Sequence, residues 1–320
     1  MRRFASDVIE LENFAAHLER TYNIRVVKMA PLGTGVFRIE RESGPAWVAR
    51  VFSEHRPIQS IDGDAEILSC LALAGFPAER LAHEQAVSRW ENKGVLVTEY
   101  VEGHQAKGSI QIYKILGNLL GRLHAHPITS GPFSREGGAW HGFGVEGGPR
   151  EVIDATLSLL RSAQEQVRAE LRGLYEALAE ELSLSDDFRG LPRAFTHPDL
   201  VPPNIIVTSK PGIVAIDWTG AGMAPRVYSL GSLLWAAGWT NDTRSMQRVD
   251  AVCSSYRKYV ELLPEEISRL YAAVVHHPII FDVWSLCLGR KALPEVTKAM
   301  ENTRQIARTI ALRATGALKG

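Results

Sequence analysis

Residues 195–218 have the sequence FTHPDLVPPNIIVTSKPGIVAIDW, which combines a proline-containing polar loop with two short apolar runs. Asp199 precedes Asn204 by five positions in this loop. The two β-branched runs that follow are separated by a Pro-Gly pair, and this pattern predicts a β-hairpin. Because a hairpin returns the chain towards its starting point, Asp217 after the second run would lie beside Asn204 before the first. The stretch therefore predicts that Asp199, Asn204 and Asp217 converge.

The residue types in this stretch favour phosphoryl transfer. Oxygen ligands from the amide of Asn204 and the carboxylate of Asp217 suit a hard cation such as Mg²⁺, which keeps several waters and binds phosphate. A second carboxylate, that of Asp199, suits an acceptor for the proton of a hydroxyl group. Phosphoryl transfer needs positioning and charge stabilisation from the protein and little covalent chemistry, so this set of side chains matches its requirements.

The pattern H-x-D-x4-N, followed by an apolar hairpin and by I-D-W, resembles the aminoglycoside phosphotransferase and choline kinase-like family. Members of that family are small-molecule kinases built on the protein-kinase fold. The resemblance implies an α+β fold with two lobes. Residues 1–101 would form a small lobe with an antiparallel sheet that binds the nucleotide. Residues 102–320 would form a larger, mainly helical lobe that carries the catalytic hairpin and binds the substrate.

The same resemblance implies roles for the hairpin residues and for an earlier glycine-containing turn. Asp199 would be the catalytic residue, Asn204 and Asp217 would hold Mg²⁺, and the phosphate donor would be ATP or GTP. Gly33 and Gly35 lie in the segment PLGTG between two predicted strands. They would cover the phosphates, because glycine lets backbone N–H groups approach a ligand closely. Taken by itself, this turn is also the pattern of a plain hairpin.

Further nucleotide contacts are implied elsewhere in the first lobe. Arg50, in the predicted strand WVARVF, occupies the position of the basic residue that faces the phosphates, and a guanidinium group can hold phosphate through two hydrogen bonds. Glu66 on the following helix would pair with Arg50 and orient it, with Asp64 as the competing candidate. The backbone around Glu99 and Val101, at the hinge between the lobes, would hydrogen bond the adenine edge.

Two positions depart from the family pattern. Family members have an aspartate in a Y-D-L triplet after the hairpin, and the triplet here is Tyr228-Ser229-Leu230. The glycine that usually follows the catalytic histidine is Pro198 here. That aspartate usually braces the catalytic loop, so a nucleotide-binding module with little catalysis is one alternative to an active kinase. A protein kinase is a second alternative, and the lack of D-F-G and A-P-E sequences argues against it.

The identity of the acceptor is the next question. We expect an aminoglycoside or another antibiotic, and a kinase of a primary metabolite of the choline, homoserine or sugar type is the alternative. Family members that bind polycationic antibiotics line the site with carboxylates of the large lobe. The candidate carboxylates and aromatic residues for such a pocket are Asp186, Asp187, Asp242, Asp282, Trp235, Trp239 and Trp284. The glycine-rich stretch 131–148, with Trp140 and His141, is either a connector or a substrate-side flap.

Composition excludes several other classes of protein. The 320 residues carry 36 Lys+Arg and 36 Asp+Glu, and the lack of a basic excess argues against nucleic-acid binding. Three widely spaced cysteines have no metal-binding spacing and indicate a reducing compartment. The N-terminus lacks the apolar core of a signal peptide, and the apolar run near 230–239 is too short to cross a bilayer. We therefore expect a cytoplasmic protein without membrane association, and we predict no protein partner.

Hydrophobic periodicity predicts the helices of the second lobe. A strongly periodic helix at 110–126 would carry His124, which we expect to be structural rather than catalytic. Later helices are predicted at 151–182, 245–262, 264–275, 279–288 and 295–318.

Overall fold

The structure is a computed structural model that describes residues 11–125, 131–138, 145–209 and 212–319. Its contacts divide the chain into two units, and the predicted lobe boundary at residue 101 lies close to the end of the first segment. The prediction placed the hairpin with the second lobe, whereas the structure groups it with the first unit. The first unit comprises Met1–His104 and Ile205–Thr219, and the second comprises Gln105–Asn204 and Gly220–Gly320.

Strands outnumber helices in the described part of the first third of the chain, and helices dominate the remainder. The elements up to residue 105 are α1 (Leu11–Tyr22), β1 (Val26–Gly33), β2 (Val36–Arg41), β3 (Trp47–Val51), α2 (Ile58–Leu73), β4 (Val87–Trp90), β5 (Lys93–Glu99) and β6 (Gly103–Gln105). The elements that follow are α3 (Ile110–Ala125), α4 (Pro149–Ala163), α5 (Arg172–Ser183), β7 (Arg193–Thr196), β8 (Ile205–Thr208), β9 (Ile213–Ala215), β10 (Gly222–Pro225), α6 (Arg226–Gly238), α7 (Thr243–Tyr256), α8 (Pro264–Ser268), α9 (Leu270–Cys287) and α10 (Leu293–Lys319).

The first unit is built on a five-stranded antiparallel sheet in the order β1-β2-β3-β5-β4. Successive side chains of a strand point to opposite faces, so Trp47 and Ala49 of β3 are buried on one face while Arg50 lies on the other. Helix α1 contributes Phe14 to the apolar core of this unit, with its ring 4.9 Å from that of Trp90. This unit confirms the predicted small lobe with an antiparallel sheet.

The predicted hairpin strands are present as β8 and β9, which pair antiparallel with Ile205 opposite Ala215. The turn residues 210–211 lie outside the described residues. Backbone hydrogen bonds explain why the hairpin belongs to the first unit. The N–H of Ala215 donates to the carbonyl of Pro77 at 2.7 Å, and the N–H of Glu79 donates to the carbonyl of Ala215 at 3.0 Å. The loop after α2 therefore holds the second strand of the hairpin.

The second unit is mainly helical, as predicted, and contains the two-stranded antiparallel pair β7–β10. Helix α3 packs on α7, and α6 and α10 pack on α9. The sequence did not predict β7, because its four residues are too few for a recognisable alternation of apolar and polar side chains. The strand orders the chain directly before the loop that contains Asp199 and Asn204.

The break predicted between helices 264–275 and 279–288 was wrong. Helix α9 continues through Pro278, and the chain breaks earlier, between α8 and α9 at Arg269. Proline disfavours a helix interior through the lost N–H and a steric clash, but tertiary packing can outweigh that cost. Helix α9 is long and apolar enough to span a membrane by length and composition, yet 67% of this segment is buried inside the structure, as in the core helix of a soluble protein.

Two buried histidines in this helical core make the unit sensitive to acid. Burial lowers the pKa of His124 to about 3, with a contribution from Arg226, and lowers the pKa of His276 to about 3, with a contribution from His277. In the unfolded chain these groups take up protons near pH 6.5. The unfolded state therefore binds more protons than the folded state below that pH. Folding stability consequently falls as the pH drops from about 6.5 towards 3.

Replacing His276 with phenylalanine is expected to reduce this acid sensitivity. Neither ring nitrogen of His276 has a hydrogen-bond partner within the described chain, and its ring packs against Tyr228 and Phe188. The substitution should remove up to about 1.4 kcal/mol per pH unit from the pH dependence, without loss of stability at pH 7. Urea unfolding at pH 7, 6 and 5 measures this, with the exposed His55→Phe as control. An unchanged pH dependence would show that His276 takes up its proton in the folded state.

Candidate active site

The predicted catalytic loop is a tight turn that joins Asp199 to Asn204. It follows β7 directly and ends in a short 3₁₀ helix at Pro202–Asn204. The side-chain amide of Asn204 donates from Nδ2 to the backbone carbonyl of Asp199 at 2.8 Å and to its Oδ2 at 3.1 Å. The N–H of Asp199 donates to Nδ1 of His197 at 3.0 Å. Two of the three predicted chemistry residues are thus in direct contact within the second unit.

Ser229 takes part in a buried network beside this loop. Its hydroxyl lies 3.1 Å from Nε2 of His124, and Nδ1 of His124 lies 2.8 Å from the hydroxyl of Tyr256. The same Nε2 lies 3.4 Å from Oγ1 of Thr196, the residue before His197. Ser229, at the position where the sequence analysis expects an aspartate, therefore reaches the end of β7 through a neutral imidazole. His124 has the structural environment that the sequence indicated.

Asp217 and Arg50 form the second cluster of predicted site residues, within the first unit. Nη1 of Arg50 contacts Oδ1 of Asp217 and lies 3.0 Å from Oγ1 of Thr219. Asp217 has a φ of +68°, the left-handed region that costs a residue other than glycine about 1–3 kcal/mol and that occurs preferentially at functional sites. The conformation of this backbone therefore carries a local energetic cost, although aspartate enters this region more readily than most residues.

A third ionisable group, Glu79, completes this cluster. Its carboxylate accepts a hydrogen bond from the N–H of Asp217 at 2.7 Å and another from Oγ1 of Thr98 at 3.1 Å. Burial raises the pKa of Glu79, and Arg50 opposes that rise. Burial acts to lower the pKa of Arg50, but the carboxylates of Asp217 and Glu79 outweigh it, so the pKa of Arg50 is raised. Arg50 therefore remains charged among several carboxylates.

The expected pairing of Arg50 with Glu66 is not observed. Glu66 is exposed on α2 and forms no ion pair with Arg50 within the described chain. Asp64, the competing candidate, is 1% exposed, borders a small cleft together with Arg50 and Glu79, and pairs with Arg56 at 2.8 Å. Positions two apart on a helix differ by about 200° in direction, so only one of the two carboxylates can face the sheet.

Gly33 and Gly35 of the first turn differ in whether their positions could accommodate a side chain. Gly33 ends β1 and pairs with Val36, so the hairpin closes through the two residues between them. Gly35 has a φ of +68°, and a Cβ atom there would lie 2.7 Å from the carbonyl oxygen of Val51. A Cβ atom on Gly33 would have no neighbour within 4 Å. The turn has the form of a tight hairpin in which only Gly35 is sterically required.

Replacing Gly35 with alanine is expected to destabilise the protein by about 1–3 kcal/mol, because the substitution adds both backbone strain and a steric conflict. The matched Gly33→Ala variant should be neutral or stabilising by up to about 1 kcal/mol, since its position is open and lacks a positive φ. Urea unfolding of both variants provides the measurement. Equal stabilities for the two variants would contradict the geometry of this turn.

The predicted hinge residues lie at the end of β5. The N–H of Tyr100 donates to the carbonyl of Ala46 beside β3, whereas the N–H of Glu99 donates to the carbonyl of Arg80 at 2.8 Å. Successive backbone groups of an extended chain point in alternate directions, so Glu99 and Tyr100 face opposite edges. Because the N–H of Glu99 is occupied, an adenine contact at this residue would use its carbonyl. Val101 follows outside the strand, and its role at the hinge stays a prediction.

The donor atoms available in the predicted metal site fit magnesium. Among the described residues, no group of three or more His, Cys, Asp or Glu side chains is arranged to hold a metal ion. The predicted ligands are one amide oxygen, in Asn204, and one carboxylate, in Asp217. Mg²⁺ is commonly bound through one or two protein carboxylates, with water and substrate phosphates completing its coordination. The residues therefore fit a cation that arrives with a nucleotide.

Sequence reasoning missed Glu79 and Thr219. Glu79 lies in the segment FPAER, where one charged residue among several gives no sign of burial. Its 7% exposure and its contact with residue 217 depend on pairing across 138 positions of sequence. Thr219 directly follows the I-D-W motif, and its proximity to Asp217 was the one available signal.

The carboxylates that the sequence suggested for a polycation site are engaged locally. Asp186 pairs with Arg269, Asp187 accepts from the N–H of Arg189, Asp242 caps α7 through the N–H of Ser245, and Asp282 pairs with Lys291.

The aromatic candidates for a substrate pocket have different environments. Trp284 is buried and donates from Nε1 to Thr156, so it belongs to the core, whereas Trp239 is 56% exposed. Trp235 is partly buried on α6. Trp140 and His141 of the suggested flap lie outside the described residues.

The chain is similar to known phosphotransferases in sequence and in fold. A family model described as the phosphotransferase enzyme family matches residues 33–259. The chain is 27% identical over 263 residues to a homoserine kinase of Pseudomonas aeruginosa, covering 72% of this chain and 78% of that protein. An amicoumacin kinase in complex with AMP-PNP and Ca²⁺ superposes with a TM-score of 0.64 at 14% identity, covering 92% of this chain and 93% of its own. A choline kinase from Streptococcus pneumoniae gives 0.62 at 14% identity, covering 92% and 99%. The structural similarity confirms the predicted two-lobed α+β fold.

Proposed function

Since the chain belongs to the phosphotransferase enzyme family and is a small-molecule phosphotransferase, we propose that it transfers the γ-phosphate of ATP or GTP to a hydroxyl group of a small amino alcohol. The family establishes the class of reaction. The acceptor, the metal and the residue roles are the proposal.

Each site residue has a role in this proposal that its contacts support. Asp199 accepts or orients the proton of the acceptor hydroxyl, and Asn204 holds the carboxylate of Asp199 in place. Asn204 and Asp217 are the protein ligands of Mg²⁺. When bound, the ion would neutralise phosphate charge as the reaction proceeds. When the nucleotide binds, the guanidinium of Arg50 gives up its contact with Asp217 and contacts the nucleotide phosphates instead.

Backbone groups provide the remaining nucleotide contacts of the proposal. The turn at Gly33 and Gly35 covers the phosphates with N–H groups, and Gly35 lets its backbone approach β3 closely. Glu99 and Val101 contact the adenine edge through their main chains.

The observation that carries this proposal is the double hydrogen bond from the Asn204 amide to Asp199. Nδ2 of Asn204 donates both to the backbone carbonyl of Asp199, at 2.8 Å, and to its carboxylate, at 3.1 Å. Since Nδ2 is the donor in both bonds, the opposite end of the same amide is the oxygen with which a cation would interact. One short turn thus couples a proton acceptor to a metal ligand, as phosphoryl transfer requires.

An amino-alcohol acceptor is favoured by two observations. The homoserine kinase relative shares 27% identity over 72% of the chain, and homoserine carries an amino group and a hydroxyl group in addition to its carboxylate. The four carboxylates that the sequence suggested for a polycationic antibiotic all have local partners. Their engagement favours a small acceptor with one amino group over a large polycation. The metabolite-type alternative of the sequence analysis is therefore preferred here to the antibiotic.

An acceptor screen tests the substrate class directly. Release of ADP from ATP, or of GDP from GTP, would be measured in the presence of homoserine, choline, ethanolamine, aminoglycosides and macrolides. We expect saturable turnover with an amino alcohol and a phosphomonoester signal in the ³¹P NMR spectrum of the product. The matched control for homoserine is 2-aminobutyrate, which lacks only the hydroxyl group and should give no transfer. Turnover with antibiotics and with none of the amino alcohols would overturn the assignment.

An antibiotic acceptor is the second candidate function. It is the acceptor class that the sequence analysis expects, and the amicoumacin kinase shows that the same fold is found in a kinase named for an antibiotic. The same screen separates the two candidates. A cytoplasmic location, where ATP and Mg²⁺ are abundant, is part of either proposal.

A further inference from the structure

The conformation of Asp217 needs hydrogen-bond support from residues outside β9 and the segment that follows it. It follows β9 by two residues, its φ is +68°, and its carboxylate contacts Arg50. A residue in this backbone region persists only where surrounding structure holds it. A neighbouring group must therefore stabilise the backbone conformation of Asp217.

The loop after α2 supplies part of this stabilisation through backbone hydrogen bonds to β9. Residues Pro77 to Glu79 run beside β9, and Ala78 pairs with Ala215 in parallel. Two backbone hydrogen bonds flank that pair, at 2.7 and 3.0 Å. This pairing ends two residues before Asp217, so backbone contacts of this loop alone do not reach the metal ligand.

The side chain of Glu79 extends the same contact to Asp217. Oε1 accepts from the N–H of Asp217 at 2.7 Å, and Oε2 accepts from the hydroxyl of Thr98 at 3.1 Å. Thr98 lies on β5 and is 5% exposed, so it anchors the carboxylate to the sheet. Both oxygens of a 93% buried carboxylate are thereby fixed in position.

We propose that Glu79 is a positioning residue of the phosphotransfer site, which holds Asp217 in its left-handed conformation and so aims the Asp217 carboxylate at the metal. This inference rests on the proposed function, because it assumes that Asp217 is a metal ligand. Glu79 acts through the hydrogen bond to the N–H of residue 217, and the reach of its side chain is the property that matters. Partners of metal ligands commonly set metal affinity in this way.

Two conservative substitutions distinguish the effect of the length of the Glu79 side chain from the effect of its charge. Glu79→Gln keeps the length of the side chain and an acceptor oxygen, but removes the charge. Glu79→Asp keeps the charge but is one methylene shorter, so its carboxylate falls short of the Asp217 N–H. Both variants retain a hydrogen-bonding group at the buried position, and urea unfolding establishes that each is folded. Glu84→Ala, an exposed glutamate of the same unit, is the control.

The first readout is Mn²⁺ binding in the presence of AMP-PNP, followed by the EPR signal of free Mn²⁺. Mn²⁺ is suitable because it accepts the same oxygen ligands as Mg²⁺. Glu79→Asp should weaken Mn²⁺ binding about 10–100-fold, while Glu79→Gln should stay within about threefold of wild type. The second readout is hydrogen exchange at the Asp217 amide, which should accelerate in Glu79→Asp and not in Glu79→Gln.

The outcomes discriminate between positioning, charge and no role. Weak binding by Glu79→Gln with normal binding by Glu79→Asp would overturn the proposal in favour of a charge effect. Wild-type behaviour of both variants would also overturn it, while leaving the proposed function intact. Failure of the wild-type protein to bind Mn²⁺ with AMP-PNP, or to transfer phosphate, would instead contradict the proposed function. In an active enzyme, Glu79→Asp should lower kcat and leave the KM for the acceptor unchanged.

Discussion

Replacing Asp199 with alanine is expected to lower kcat by about 10²–10⁴, the contribution of a positioned proton acceptor. The substitution removes the carboxylate that Asn204 holds at 3.1 Å but keeps the backbone carbonyl to which the same amide donates at 2.8 Å. The turn should therefore stay folded, and the KM for the nucleotide should change little. Steady-state kinetics with the acceptor found in the screen provide the measurement.

Two comparisons make the Asp199 result specific. Asp62→Ala removes an exposed carboxylate of α2 and should leave kcat unchanged. Asp199→Asn retains the shape of the side chain and a hydrogen-bonding oxygen but cannot accept the proton, so it should be as slow as Asp199→Ala. Full turnover in either Asp199 variant would remove this residue from the mechanism.

Replacing Asp217 with asparagine should abolish Mg²⁺-dependent phosphate transfer, because it removes the charged ligand of the proposed metal site. Asparagine tolerates the left-handed backbone region better than alanine does, so the variant tests the charge without adding strain at a φ of +68°. Arg50 keeps Glu79 and Thr219 nearby, which should preserve the local structure. The measurement is the rate of transfer as a function of Mg²⁺ concentration, with AMP-PNP binding as the control for an intact nucleotide site.

The Asp217→Asn variant can also contradict the assignment of Asp217 as a metal ligand. If it showed wild-type activity with an unchanged Mg²⁺ requirement, the metal ligand would have to be another residue. Retained AMP-PNP binding with lost transfer would agree with the proposed role. Loss of the folded state in urea unfolding would show that the Arg50–Asp217 pair is needed for stability of the first unit.

Much of the site was accessible from the sequence because it depends on local geometry. Asp199 and Asn204 are five residues apart on one proline-rich turn, so their contact follows from that turn. The strands β8 and β9 were recognisable as adjacent β-branched runs around a turn. Gly35 was recognisable as a turn glycine, although its close approach to Val51 was not. The convergence of Asp217 with Asp199 and Asn204 involves both units and stays a prediction.

Other features were inaccessible because they depend on contacts between distant parts of the chain. The choice between Asp64 and Glu66 required knowing which face of α2 meets the sheet. The path of α9 through Pro278 required knowing that this helix lies in the core, where packing outweighs the local preference of proline. The burial of Glu79 against residue 217 required the pairing of its loop with β9.

By itself, the sequence determined the turn that joins Asp199 to Asn204, the hairpin that follows it and the family to which the chain belongs. These features arise from short-range backbone preferences and from the spacing of a few polar groups. The tertiary structure alone decided which carboxylates surround Arg50 and what holds Asp217 in its left-handed conformation. The physical reason is that burial and hydrogen bonding of those side chains are made by residues more than a hundred positions apart, and no local pattern encodes them.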